Sequence, residues 1–445
     1  VQVGEYFEVL QRVRERIGNL TAEELKCADV FGIYGKGKTA RAVKEFLDKK
    51  GIRSFMFDDS DWGKKGLEEI LANLKHVEWL VVSPGVPPIK VLELFKKKSL
   101  KTVMDGVKVL GDIDLVWGFK KGYYAAAVTG SKGKTTVTTM IAHILGKVAV
   151  GNVGIPPARV CSEVDRNLED LVLEVSSFQL EYNTNFKVKV GCILNLWEDH
   201  LDRYGNLDTY WRIKSELVLH SDVIVIGEKD LEKLLKFFDV DENKLVVVGR
   251  DYIRQERKFY RRGNLLGEFD NEKIFGFRLD NVLYAWAVVD QFGMSWNEFC
   301  KQLRSYEFLP HRLEFVVECN GIVWVNDSKS TSTDSTVAAF YSYYPKKNVI
   351  LIWGGYDKKL DWTPVEKLPA KVSIVTGDLA KVDVEADYRF VKLEDAIRKA
   401  NELAEPGDVV LFSPATSSYD RFKSYEERGE FFKRFVKIEV CEQGT

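Results

Sequence analysis

The run Val128-Thr129-Gly130-Ser131-Lys132-Gly133-Lys134-Thr135-Thr136 sets a glycine-rich, lysine-bearing turn between a short apolar segment and a helical pattern. Backbone N–H groups of such a turn, with the start of the following helix, surround phosphate oxygens; the lysine adds a point charge and the threonine a hydroxyl for Mg²⁺. Gly130, Ser131, Lys132, Gly133, Lys134, Thr135 and Thr136 are therefore expected to hold the phosphates of ATP, with Lys134 acting in the reaction and Thr135 on the metal. One departure marks the loop: Val128 stands where the first glycine of the usual spacing falls, and a glycine appears at 130 instead.

Two later segments carry groups that suit a metal and its phosphates. Leu173-Glu174-Val175-Ser176-Ser177-Phe178-Gln179 ends an apolar run on a carboxylate, and magnesium favours few carboxylates plus waters and phosphates. Asn195 to Arg203 places His200, one of five histidines, among Glu198, Asp199 and Asp202 after another apolar run. Metal ligation or substrate contact suits that residue, as does capping a helix or packing locally. Lys214, on the helical pattern Leu207 to Leu217, reads from spacing alone as a solvent-facing lysine. Near the C-terminus, Leu309-Pro310-His311-Arg312, Asn326-Asp327-Ser328-Lys329-Ser330-Thr331, Gly354-Gly355-Tyr356-Asp357-Lys358 and Ser413-Pro414-Ala415-Thr416-Ser417-Ser418 bring cations and hydroxyls to strand ends. Converging on one sheet edge, they would bind a small carboxylate or phosphate.

The elements that must position these groups alternate as strand and helix, which implies an α/β fold with parallel sheets and helical crossovers in three blocks. The first holds strand Val30 to Tyr34, the turn Gly35-Lys36-Gly37, helix Thr39 to Lys49, strand Arg53 to Phe57 and acidic Asp58-Asp59, and reads as Rossmann-like. A second begins near Gly111 and a third near Leu309, giving domains 1–110, 111–308 and 309–445, in line with about 150 residues per domain. Residues 1 to 28 read as a charged helical arm appended to the first domain. Sixty-five basic against sixty-seven acidic residues give a formal charge of -2, which argues against nucleic acid as partner. The six cysteines are scattered without C-x-x-C pairs, fitting neither a disulfide scaffold nor a zinc site and favouring a reducing cytoplasm. No apolar run nears the ~18 residues of a membrane span, so no membrane insertion is expected.

These segments together resemble the Mur ligases, most closely the branch that adds D-glutamate to UDP-N-acetylmuramoyl-L-alanine, over the chain from about 29 onward. The family's own phosphate loop also lacks the first glycine, so the departure at Val128 strengthens the likeness. The stretch Phe412-Ser413-Pro414-Ala415 through Tyr425-Glu426-Glu427-Arg428-Gly429 is similar to the D-glutamate-adding branch in particular. The resemblance implies a Rossmann-like N-terminal domain for the UDP-sugar, a central P-loop ATPase domain with a mainly parallel sheet, and a Rossmann-like C-terminal domain for the amino acid. It implies a monomeric enzyme of peptidoglycan precursor synthesis, using ATP and two Mg²⁺. Carried over position by position, Glu174 and His200 would join Thr135 on the metals. Lys214 matches the lysine that the family carbamylates, turning a cation into a metal-binding carboxylate. Asn281, Arg312 and Asp327 would face the nucleotide. Lys329, Thr331, Lys358, Ser418 and Tyr425 would contact D-glutamate, Tyr425 standing where some relatives have phenylalanine, and Lys329 would also serve the reaction. Lys38, Thr39, Asp58, Gly85, Asn152, Ser176, Gln179 and His200 would bind the UDP-sugar.

Two other classes compete. Gly35-Lys36-Gly37-Lys38-Thr39-Ala40 with Asp58 beyond it fits a dinucleotide fingerprint, hence a nicotinamide-dependent oxidoreductase, although diphosphate recognition in a UDP-sugar site needs the same turn. A non-catalytic nucleotide-binding scaffold would not need Glu174, His200, Lys214 and Lys329 together. Within the ligases, another Mur-type or a folylpolyglutamate-type enzyme is the near alternative.

Overall fold

A computed structural model of the chain describes residues 5–17, 20–61, 72–97, 106–163, 166–269, 277–345 and 347–441. It is α/β throughout, with three sheets. The first orders β1 (Val30–Tyr34), β2 (Arg53–Phe57), β3 (Trp79–Val82) and β4 (Lys108–Leu110) as β2-β1-β3-β4, all parallel. The second contains β5 (Tyr124–Thr129), β6 (Val148–Gly151), β7 (Leu171–Glu174), β8 (Val188–Ile193), β9 (Ser221–Gly227), β10 (Leu245–Val248), β11 (Tyr252–Gln255), β12 (Lys258–Arg261) and β13 (Asn264–Glu268). Their order is β13-β12-β11-β10-β9-β8-β5-β7-β6, so β5, which feeds the phosphate loop, lies between β8 and β7. The third contains β14 (Glu314–Cys319), β15 (Ile322–Asn326), β16 (Val349–Gly354), β17 (Val372–Thr376), β18 (Tyr388–Phe390) and β19 (Val409–Phe412), ordered β14-β15-β19-β16-β17-β18.

The central strands are short continuous apolar runs because helices cover both faces of a parallel sheet. Every residue of β1, β5, β7, β16 and β19 is buried. Two places depart from the all-parallel expectation. In the second sheet β11, β12 and β13 run antiparallel through two-residue turns in which Glu256 and Arg262 take positive φ. In the third, β14 and β15 pair antiparallel across Asn320-Gly321, with φ of 54° and 73°. Asn-Gly between apolar runs is the sequence signal of such a hairpin, because both turn residues need φ above zero.

The chain divides into two compact units: Val1–Asp270 with Leu279–Tyr306, which holds the first two sheets, and Glu307–Thr445 with Asn271–Arg278, which holds the third. The N-terminal helix Glu5–Arg14 is not an appendage. Tyr6, Leu10, Val13 and Ile17 are buried at spacings of four, three and four, one stripe of a helix, and divide between two core clusters of the first unit. Burial of each such side chain stabilises by about 1.5–3 kcal/mol, enough to fix the arm. The cysteine reading also needs correction: Cys319 at the end of β14 and Cys441 in the last helix form a disulfide across 122 residues, their Cα atoms brought to 5.9 Å by the fold. No local spacing encodes that pair. Among the described residues no helix is long and apolar enough to cross a membrane.

Asp112 opens the helix Asp112–Lys120 fully buried, its carboxylate facing, among the described residues, no donor beyond the N–H groups of Asp112 and Ile113 at the helix start. Burial raises its pKa from 3.8 to about 6. The folded state therefore holds more protons than the unfolded one between those values, and stability falls as pH rises through that window, by roughly 3 kcal/mol at pH 7. Asp112→Asn should raise the melting temperature at pH 8 and change it little at pH 4.

Candidate active site

The phosphate loop runs from β5 into helix Lys134–Ile144, with Gly133 as N-cap in the left-handed region. It is laced to the segment after β8: Ser131 N donates to Asn195 O at 3.0 Å, Lys132 N to Asn195 Oδ1 at 2.8 Å, and Asn195 Nδ2 back to Lys132 O at 3.0 Å. The Ser131 hydroxyl lies 3.0 Å from Trp197 O and 3.2 Å from the Tyr210 hydroxyl. Lys134 Nζ folds back to Gly130 O at 2.7 Å and Ser131 O at 3.0 Å, within reach of an anion seated in the loop. Thr135 and Thr136, in the first turn, are half-buried. These bonds fix the shape of the loop before a ligand arrives, which limits the reorganisation needed when charge develops.

Neighbouring strand ends supply the remaining groups. Glu174 closes β7, which pairs with β5 in register Val128↔Glu174, and is buried. Its Oε1 accepts from Asn152 Nδ2 at 2.7 Å, while Oε2 has no partner. Gly151, before Asn152, has φ of 97°, and a Cβ there would meet Glu174 O at 2.3 Å, so only glycine allows this approach. Ser176 caps the turn Ser177–Leu180 in a capping box with Gln179, so the two occupy each other. His200 sits in the left-handed region before helix Leu201–Tyr204, its ring 4.8 Å from Phe178 and 6.0 Å from Tyr210. Burial lowers its pKa, opposed by Asp199 and reinforced by Lys214 and Lys134, so its imidazole is neutral at pH 7.

Lys214 overturns its reading from spacing. It is 2% exposed, with Nζ donating to Gly130 O at 3.0 Å and lying over the Tyr210 ring. Burial, then the charge of Lys134, pushes its pKa well down, with Asp199 and Glu174 opposing. Helical spacing does put Lys214 on the buried face, four residues after Tyr210 and three before Leu217, but does not reveal that this face meets the phosphate loop. Asn195 and Tyr210, which brace that loop, also escaped the sequence reading; the polar Asn195 at the end of the apolar run Val190 to Leu194 was the available signal.

In the first sheet, Lys38 and Thr39 begin helix Lys38–Lys49 after the turn at Gly35-Lys36-Gly37, and Asp58 follows β2. Lys36 pairs with Asp61 at 2.5 Å and Asp58 at 3.7 Å, while Gly85 is exposed in the turn after β3. Asn281, in the first unit, is buried on helix Phe277–Val289.

The second unit gathers its groups at the carboxyl ends of β15, β16 and β19. Asp327 is buried and accepts from Leu313 N at 3.0 Å, Ser330 Oγ at 2.5 Å and Ser413 Oγ at 2.8 Å; burial raises its pKa to about 6. Lys329 Nζ lies 3.9 Å over the Tyr425 ring, and Lys358 Nζ donates to Thr331 O at 3.1 Å. Burial lowers both lysines, with Arg312 reinforcing it at Lys329 and Arg428 at Lys358. Ser418 is buried beside them in sequence with Thr416, whose carbonyl accepts from Arg428 Nη2 at 3.0 Å. Arg428, unflagged in the sequence, also binds Ser328 and keeps its buried Nη1 unpartnered. Such an edge suits a ligand with carboxylates.

Comparison with known proteins fits this arrangement. Residues 128–264 match the Mur ligase middle domain. The UDP-N-acetylmuramoylalanine--D-glutamate ligase of Caldicellulosiruptor bescii is 32% identical over 93% of this chain and 98% of its own. The chain belongs to the Mur ligase family. The like-named enzyme of a Hydrogenobaculum species is also 32% identical, over 91% of this chain and 98% of its own. Among solved structures, the UDP-N-acetylmuramate-alanine ligase of Thermotoga maritima superposes with a TM-score of 0.51 at 18% identity, covering 92% of this Mur ligase and 99% of the other, a likeness of fold.

Proposed function

We propose that the chain is an ATP-dependent ligase that joins D-glutamate to UDP-N-acetylmuramoyl-L-alanine in cytoplasmic peptidoglycan precursor synthesis, acting as a monomer. The observation that carries this reading is near full-length similarity to relatives named for that reaction. Domains 1–110, 111–308 and 309–445 would serve the UDP-sugar, ATP and the amino acid in turn. The UDP-sugar is assigned to Lys38, Thr39, Asp58, Gly85, Asn152, Ser176, Gln179 and His200. ATP falls to residues 130–136 with Asn281, Arg312 and Asp327. D-Glutamate falls to Lys329, Thr331, Lys358, Ser418 and Tyr425.

The residues fit magnesium. Among the described residues no three His, Cys, Asp or Glu side chains converge into a metal cage. The unpartnered Oε2 of Glu174, the Thr135 hydroxyl and a neutral His200 are instead the sparse set that Mg²⁺ takes when phosphates complete its shell. Lys214, as its carbamate, would complete the set for two ions. When bound, Mg²⁺ offsets the negative charge of the triphosphate and of the attacking carboxylate.

The substrate carboxylate attacks the γ-phosphorus in line, ADP leaves, and an acyl phosphate results. The D-glutamate amine then adds to the acyl carbon, loses a proton, and expels phosphate. Two anions must meet in the first step, so the chain's part is charge management: Lys134 draws the γ-phosphate and the loop N–H groups hold the β-phosphate. Lys329, close to Arg312, would orient the glutamate so that its amine faces the acyl carbon.

Phosphate release from ATP, with Mg²⁺ and UDP-N-acetylmuramoyl-L-alanine, should be stimulated by D-glutamate and by none of L-glutamate, L-alanine, L-lysine or diaminopimelate. Stimulation by another of these would move the enzyme to a different ligase branch, and no stimulation by any would end the catalytic reading.

A further inference from the structure

One buried polar cluster of the first unit has no part in the chemistry above. Glu181, fully buried after the turn Ser177–Leu180, receives the Tyr6 hydroxyl on Oε1 at 2.6 Å. Arg203, three residues after His200, donates through Nε to that Oε1 and to the Tyr6 oxygen, each at 3.1 Å, and through Nη2 to Oε2. The same Nη2 lies 3.4 Å from Pro84 O and 3.3 Å from Val86 O, the carbonyls flanking Gly85. Tyr182 binds Val86 O as well, at 2.7 Å. The guanidinium lies 4.1 Å from the Phe178 ring centroid, and the His200 ring packs on the same phenylalanine. Arg14 secures the turn from the N-terminal helix, donating to Glu181 O at 3.2 Å and Leu180 O at 2.9 Å while pairing with Glu216.

A buried ion pair is a weak source of stability, since desolvation offsets most of its attraction. It does fix geometry, because a guanidinium presents five donors in a rigid fork. Here one fork reaches the turn after β3 in the first sheet, the turn after β7 in the second, and the ring against which His200 packs. We propose that Arg203, held by Glu181 and Tyr6, is a positioning residue that fixes the Pro84–Val86 turn against His200, so that the substrate is gripped at Gly85 with its reacting end at His200. This rests on the UDP-sugar assignment made above.

The test pairs steady-state kinetics with calorimetric titration of UDP-N-acetylmuramoyl-L-alanine into enzyme without ATP, for wild type, Arg203→Lys and Tyr6→Phe. Arg203→Lys should weaken binding and raise the KM for this substrate about tenfold, and Tyr6→Phe about threefold, with the KM for ATP within about twofold in both. Absence of binding by the wild type would sink the function itself. Binding by the wild type and equally by both variants would overturn the positioning role alone, as would parallel rises in both KM values with a lowered melting temperature. Should Arg203→Lys show no cooperative melting, Tyr6→Phe, which keeps the ion pair, decides.

Discussion

Lys214→Ala should lose about a hundred- to a thousandfold in turnover, and acetate or propionate should restore a measurable part of it. The side chain is almost wholly buried against the phosphate loop, next to Lys134. An ammonium there would repel the neighbouring lysine and bear the full cost of burial, and both effects push the pKa well down, toward the neutral amine. A neutral amine is the form that adds CO₂, and the proposed carbamate would replace an unfavourable cation by an anion able to bind Mg²⁺. Alanine would remove that anion, and losses of ~10²–10³ accompany removal of one group that stabilises charge in a transition state. A small carboxylic acid diffusing into the vacated space supplies the same oxygens. Stability should move the other way. Burial lowers the folded-state pKa below the unfolded one, which costs stability at pH 7, so Lys214→Met should raise the melting temperature while abolishing activity. Full activity in the alanine variant, or a loss that no carboxylic acid relieves, would count against the carbamate.

The legible and illegible parts of this molecule divide by range. The turn after β5, and β5, β7, β16 and β19 themselves, were readable because a parallel strand buried on both faces is a continuous apolar run that stops at a polar or glycine-rich turn. The hairpin at Asn320-Gly321 carried a local signal that the alternation of the third block masked. Other features had no local signal. The N-terminal stripe Tyr6, Leu10, Val13 and Ile17 is interrupted by charges, and its polar partner Glu181 lies 175 residues from Tyr6. Cys319 and Cys441 are separated by 122 residues. Lys214 and Arg203 sit on helices whose pattern identifies an apolar face but not that a loop from another strand covers the polar groups beside it. The site is a property of where β5, β7 and β8 end together, and the order of those strands is fixed by the sheet.

Glu174→Gln should separate metal binding from folding, because it changes the two in opposite directions. Glutamine keeps the oxygen that accepts from Asn152 Nδ2 and replaces the unpartnered Oε2 by an uncharged amide of equal size. In the absence of ligands the wild type leaves a buried carboxylate oxygen unsatisfied, a cost of about 1–3 kcal/mol, and removing the charge should leave the melting temperature unchanged or higher. With ATP present the same oxygen is the one proposed to take Mg²⁺. Its loss should lower kcat by about 10²–10³ and raise the Mg²⁺ concentration needed for half-maximal rate by about 10–100-fold. Asn152→Ala removes only the brace on Oε1, so its requirement for Mg²⁺ should rise by less. A glutamine variant that is less stable and as active as the wild type would assign Glu174 to the architecture and move the metal to another carboxylate; a more stable and inactive one would show that the fold keeps this side chain under-bonded for a ligand.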